Sequence, residues 1–279
     1  MTKPNTIICP LDFSECSLNA LEYATHLALK YQAKLILFHV INREDYLKLS
    51  PLDENGTYQN DFLKDKMTQI HAAVVQELAG RVPIPEWDME EGEIVSEILD
   101  KSKKEGADLI VIGTEGMNEL RKNIVGSRAS EVVENSEVDV MVIPRKIFFR
   151  APQKLIYATD YYEEDKLAIQ KITEFASFFD SEIDIVHVTE RQKLIDKTLH
   201  QVMIDELKPF VRYSKVNYLL KSFRDDLALG LENHLQTAKG DMLITLSKKR
   251  SFFQRIFTES ISKKMAYFIN KPLWVIKKF

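Results

Sequence analysis

Four residues able to hold a phosphate without a side-chain charge stand close together in this chain. Gly113, Gly116 and Gly126, with Ser127 directly after the last, lie between two apolar runs, 108–112 and 138–143. The first run has the composition of a buried strand, and residues 128–135 can form a helix. Backbone without a Cβ approaches a ligand closely, and successive N–H groups at a helix start attract anions. The chemistry on offer is a phosphate cradle; loop glycines that only satisfy turn geometry are the other reading of the same residues. Two residues separate the first two glycines and nine separate Gly116 from Gly126, which is neither the dinucleotide fingerprint nor a P-loop. The P-loop lysine is absent, since Gly126 is followed by Ser127 and Arg128.

Other residue types offer less. Asp12, His39 and Ser127 all fall near strand ends and invite comparison with a hydrolytic triad, but no nucleophile elbow accompanies them. Asp12 and Ser127 are also good helix caps. No Cys-x-x-Cys or His-Glu-x-x-His spacing occurs, and His26, His71, His200 and His234 are scattered, so no metal site is expected. Cys16 stands near a helix start, where a thiol is activated only in an electropositive setting; an inert buried cysteine is the simpler expectation.

The elements that must position these residues follow from periodicity. Residues 6–10 read as a buried strand, 17–32 as a helix with Leu18, Leu21, Ala24, Leu27, Ala28 and Tyr31 on one face, and 33–40 as a second strand. A loop is expected over 42–60, then helix 61–79, strand 84–89 and helix 93–104. Strands alternating with helices specify a doubly wound parallel sheet. From Leu155 the pattern restarts. Residues 155–160 parallel 7–12, each ending in aspartate, and the same register sets Phe38-His39-Val40 against Val186-His187-Val188. This internal duplication makes two domains, 1–146 and 153–279, with a short linker bounded by Pro144 and Pro152 whose Ile147-Phe148-Phe149 favours docked halves. In the second copy the glycine positions become Leu246, Lys249 and Glu259, and only Ser260 survives, so its cradle is degenerate.

Composition fits this plan. With 279 residues, 45% hydrophobic and 29% charged, the chain has apolar material for two cores. A net charge of −4 with both signs interspersed gives no case for nucleic-acid or membrane-surface binding. The N-terminal residues lack a signal-peptide pattern, no segment is long enough to span a bilayer, and two cysteines suit a reducing compartment, so a cytoplasmic location is expected.

The tandem plan and the glycine pattern together resemble the universal stress protein family, over essentially the whole chain and most strongly in residues 1–146. The resemblance implies two five-stranded parallel-sheet domains of the adenine nucleotide alpha-hydrolase-like type, paired through their last strands as a pseudo-dimer. It also implies an ATP site in the first domain, with or without Mg, where AMP or ADP are further candidates. Carried over by position, Asp12 would bond the ribose, the backbone around Val40 would meet the adenine edge, and Pro10 and Leu11 would wall the pocket. Gly113 and Gly116 would pass beneath ribose and phosphates, and Gly126 and Ser127 would hold the phosphates. The implied role is a stress-response sensor or regulatory module that a protein partner reads, with a homodimer of whole chains left open. Two alternatives stand beside it: an enzyme that slowly hydrolyses ATP, phosphorylates itself or transfers a nucleotidyl group, and a nucleotide-free interaction scaffold. No catalytic residue is singled out.

Overall fold

The structure, a computed structural model, describes residues 3–42, 60–114, 127–161, 163–189, 194–222, 227–247 and 271–277. The first repeat runs β1 (Thr6–Pro10), α1 (Glu15–Tyr31), β2 (Lys34–Ile41), α2 (Asn60–Leu78), β3 (Glu86–Glu91), α3 (Ile94–Lys104), β4 (Leu109–Thr114), α4 (Ser127–Asn135) and β5 (Asp139–Pro144). The second runs β6 (Lys154–Ala158), α5 (Asp165–Phe179), β7 (Glu182–Thr189), α6 (Leu194–Leu207), β8 (Val216–Ser222), α7 (Leu227–Thr237), β9 (Met242–Ser247) and β10 (Leu273–Lys277).

Local signals explain most boundaries. Helix α1 begins at Glu15, two residues before the expected Ser17, because the Ser14 hydroxyl accepts the Ser17 N–H at 3.2 Å and caps it there. It ends where Gln32 turns left-handed, at φ 58°. Leu21, Ala24, Leu27, Ala28 and Tyr31 form its buried stripe. Leu18 is instead exposed, since it lies roughly 120° around the helix from Ala24. Strand β3 starts at Glu86 rather than at residue 84 because Pro85 has no N–H for a ladder, and its register with β2 opens at Ile36–Glu86.

Both repeats contribute to one ten-stranded sheet, in the order β3-β2-β1-β4-β5-β10-β9-β6-β7-β8. Strands within each repeat pair parallel, and at the seam β10 runs antiparallel to β5, with Trp274 opposite Met141. Two parallel five-stranded units are therefore joined edge to edge as a pseudo-dimer. Helices α1, α2, α5 and α6 cover one face through Leu27, Met67, Phe175 and Met203. Helices α3, α4 and α7 cover the other through Ile98, Val132 and Leu231. With both faces covered, strands such as β5 are buried along their whole length. The seam holds a charge in its interior: the Asp139 carboxylate accepts from Lys171 Nζ at 2.9 Å and from the Lys277 N–H at 3.0 Å.

The duplication is visible in backbone detail. Phe13 and Gln32 adopt left-handed conformations, and so do Tyr161 and Asp180, each 148 residues further on. Bulky side chains seldom take that conformation, so its recurrence at matched positions marks a shared backbone path.

Candidate functional site

The order of β3-β2-β1-β4-β5 reverses between β1 and β4, which opens a crevice beyond the C-terminal ends of these two strands. Pro10 closes β1, opposite Phe38. Leu11 follows, buried, with its N–H on the Phe38 carbonyl at 2.7 Å. The chain then turns away at Asp12 and Phe13. Phe38 faces β1 with its backbone groups, and so, two residues on, does Val40, past the point where β1 has left the sheet. Val40's side chain is buried beneath.

Asp12 is exposed at this edge. Its Oδ1 accepts from the Ser14 N–H at 3.0 Å and from the Ser14 hydroxyl at 2.5 Å. The Ser17 hydroxyl and the Asp12 N–H also act on this carboxylate. Burial works to raise this carboxyl, but the bonds from Ser14 and Ser17 outweigh it and hold it below the usual carboxylate range. The helix cap is Ser14, so Asp12 braces the cap and keeps an acceptor for hydroxyl donors.

His39 Nδ1 lies 2.7 Å from the Leu11 carbonyl. A carbonyl only accepts, so Nδ1 carries the proton. Burial is the largest influence on this imidazole and, with the Lys66 charge, lowers it below the ordinary histidine value. The ring packs 4.5 Å from Phe13. His39 therefore fixes the turn after β1; its Nδ1 is committed to a backbone carbonyl rather than to a carboxylate, as a triad would need.

Gly113 closes the crevice floor at the end of β4. A Cβ built there would lie 2.4 Å from the Cys16 carbonyl oxygen and 2.8 Å from the Ser17 nitrogen. Only glycine lets β4 come this close to the first turn of α1. The next residue, Thr114, is buried with a hydroxyl that has no hydrogen-bond partner among the described residues. Gly116 and Gly126 lie outside the described residues; Ser127 is the first residue of α4. Arg128 acts electrostatically on Glu93, the cap of α3, whose side chain accepts from Ser96 N–H at 2.7 Å.

A model of the universal stress protein family matches residues 4–144, just over half of the 279-residue chain. This chain belongs to the universal stress protein family. A universal stress protein of Methanocaldococcus jannaschii is 29% identical over 145 residues, which cover 50% of this chain and 81% of that one. One from Bacillus subtilis is 29% identical over 146 residues, covering 50% and 98%. The crystal structure of a universal stress protein from Archaeoglobus fulgidus superposes at a TM-score of 0.69 over 99% of both chains; at 19% identity it shares the fold. The chain is a tandem, two-domain member of the family.

Two residues at the crevice were not singled out by sequence. Lys66 of α2 places Nζ 5.4 Å from the Phe13 ring and has no carboxylate partner among the described residues. Thr114 reads in sequence as an ordinary strand end. Neither has a local signal, because both matter through contacts between elements.

The second repeat has rebuilt the same position. Leu246, at the place of Gly113, is buried, and α5 starts at Asp165, two positions later than α1 in the shared register. Asp165 is buried and accepts from Tyr157 and Thr159 hydroxyls. Tyr161 stacks on His187 at 4.1 Å, and its hydroxyl meets His200 Nδ1 at 2.6 Å. The Tyr161–His187 packing repeats that of Phe13 on His39, and what is new is the Tyr161 hydroxyl, which ties this edge to His200 of α6. Lys249, Glu259 and Ser260 lie outside the described residues.

Proposed function

We propose that this universal stress protein binds an adenine nucleotide, with ATP as the leading candidate, in its first domain (residues 1–146), and acts as a regulatory module in the stress response rather than as a catalyst. One observation carries the reading: the exposed Asp12 carboxylate and the Cβ-free Gly113 stand at the ends of adjacent strands where the sheet order reverses. An exposed carboxylate held ionised suits a ribose diol. The unpartnered Thr114 hydroxyl and the Lys66 cation suit phosphate oxygens. Gly126 and Ser127 supply backbone donors and Pro10, Leu11 and Val40 the adenine pocket. Gly116 passes beneath the phosphates, and Mg, where present, rides on them.

The second domain (residues 153–279) is a partner that does not bind nucleotide, an assignment supported by buried Leu246 at the place of Gly113 and by the Tyr161 hydroxyl bonded to His200. Occupancy acts through the Gly113–Ser127 segment, and a protein partner or a second copy reads that state. A cytoplasmic setting is supported by two buried thiols that form no disulfide, and no described helix is long and apolar enough to cross a membrane.

Titration calorimetry of ATP into the full chain tests this. We expect one site, lost in Gly126→Glu, which imports the second repeat's residue. No binding of ATP, ADP or AMP would leave the scaffold reading, and turnover abolished in Asp12→Ala with binding retained would make the protein an enzyme.

A further inference from the structure

Beneath the linker between the repeats lies a pocket of about 230 Å³, away from the nucleotide crevice. It sits at the seam, between the start of β10 and the facing flanks of α1 and α5. Its floor is apolar, with Leu27, Phe175 and Met242, and the linker residues Ile147 and Phe149 form a wall. That wall is fixed in place: Phe149 stacks on His26 at 3.9 Å and meets the Tyr23 ring edge-on at 5.1 Å. Phe148 stands at the mouth, 59% exposed.

The rim is cationic. Lys146, Arg150 and Lys271 all line the pocket, and none has a carboxylate within ion-pair distance among the described residues. One acid, Asp241, also lines it, but its Oδ2 accepts the N–H groups of Gln153 and Lys154 at 2.8 and 3.0 Å. Three cations against one committed carboxylate leave a net positive lining. A second, independent feature points inward. Tyr23 is only 5% exposed, lines the pocket, and its hydroxyl has no hydrogen-bond partner among the described residues. That oxygen still reaches solvent, so it is free to donate to a ligand acceptor in the pocket. Burial, with the charges of Glu22 and Asp241 adding to it, pushes the phenol up, so it stays an O–H donor.

We propose that this seam pocket binds a small amphipathic carboxylate: the carboxylate meets Arg150, Lys271 and the Tyr23 hydroxyl, and the apolar body lies on Leu27, Phe149 and Phe175. The volume is below the roughly 300–1,000 Å³ of drug-sized ligand sites, which restricts the occupant to a short-chain or single-ring acid. Because both repeats and the linker contribute, occupancy bears on how the two halves are held together.

The probe is octanoate, titrated into the full-length protein by calorimetry, with octan-1-ol and acetate as controls lacking the charge and the apolar body. We expect one octanoate site that saturating ATP leaves unchanged, and no saturable binding of either control. Arg150→Gln with Lys271→Gln should weaken it about tenfold or more, and Tyr23→Phe, which keeps the ring packing, about threefold to tenfold. Nuclear Overhauser contacts from the octanoate methyl to Phe149 and Phe175 rings should locate the chain. The proposal is overturned by absence of octanoate binding, by equal binding of octan-1-ol, by displacement with ATP, or by unchanged affinity in a folded Arg150→Gln, Lys271→Gln variant.

Discussion

At the scale of single residues, the crevice turns on what each polar group already has and what it lacks. Asp12 has its Oδ1 occupied by Ser14, so removing the carboxylate should cost ligand affinity and leave the helix cap, which Ser14 itself provides. We expect Asp12→Ala to bind ATP about tenfold or more weakly by calorimetry, with a thermal midpoint within a few degrees of wild type. Lys66→Ala should cost about fivefold, and the gap should narrow as salt rises, because a side chain reaching in from α2 acts through a screened charge. Asp12 was legible in sequence because it ends a strand and recurs as Asp160. Lys66 was not: it belongs to a different helix and reaches the site only through the fold.

At the scale of elements, the first turn of α1 and the end of β4 form one joint. Ser14 starts the helix, Asp12 braces Ser14, and Gly113 allows β4 to touch the backbone of Cys16 and Ser17. Ser14→Ala should cost about 1 kcal/mol in urea unfolding, as lost caps do. Gly113→Ala should cost about 1–3 kcal/mol, since a methyl 2.4 Å from a carbonyl oxygen forces strand and helix apart. The sequence pointed to Gly113 as a ligand-side glycine; its packing against α1 needed coordinates, because nothing local ties residue 113 to residue 16. Periodicity recovered the strands and the stripe of α1, and it erred where a single residue overrode it: Leu18 at the helix edge and Pro85 before β3. The seam pairing of β5 with β10 came from the family resemblance, since apolar runs alone do not say which strands meet.

At the scale of the molecule, the seam combines buried charge with a continuous sheet. Burial lowers the Lys277 ammonium to about 8, against the pull of Asp139 and Glu134. Between about pH 8 and the ordinary lysine value the unfolded chain therefore binds more protons than the folded one, and stability contributed by this group rises with pH. Relative to Lys277→Met, the wild type should gain about 3 kcal/mol across that window, followed by urea unfolding at each pH. Lys171→Met should be more harmful, about 3–5 kcal/mol, because it leaves the buried Asp139 with one partner fewer, and burial, which already raises this carboxyl, then goes less opposed. The outer edges are β3 and β8, and β3, with Glu86, Asp88, Glu90 and Glu91, is strongly acidic, which discourages pairing with another sheet. The antiparallel seam is made within one chain, and this changes what dilution can do. Where separate subunits share such a seam, their association weakens as the protein becomes scarce. Here the two halves stay in each other's neighbourhood at a fixed effective concentration set by a linker of a few residues. Every copy of the protein, however few the cell holds, carries its own complete seam.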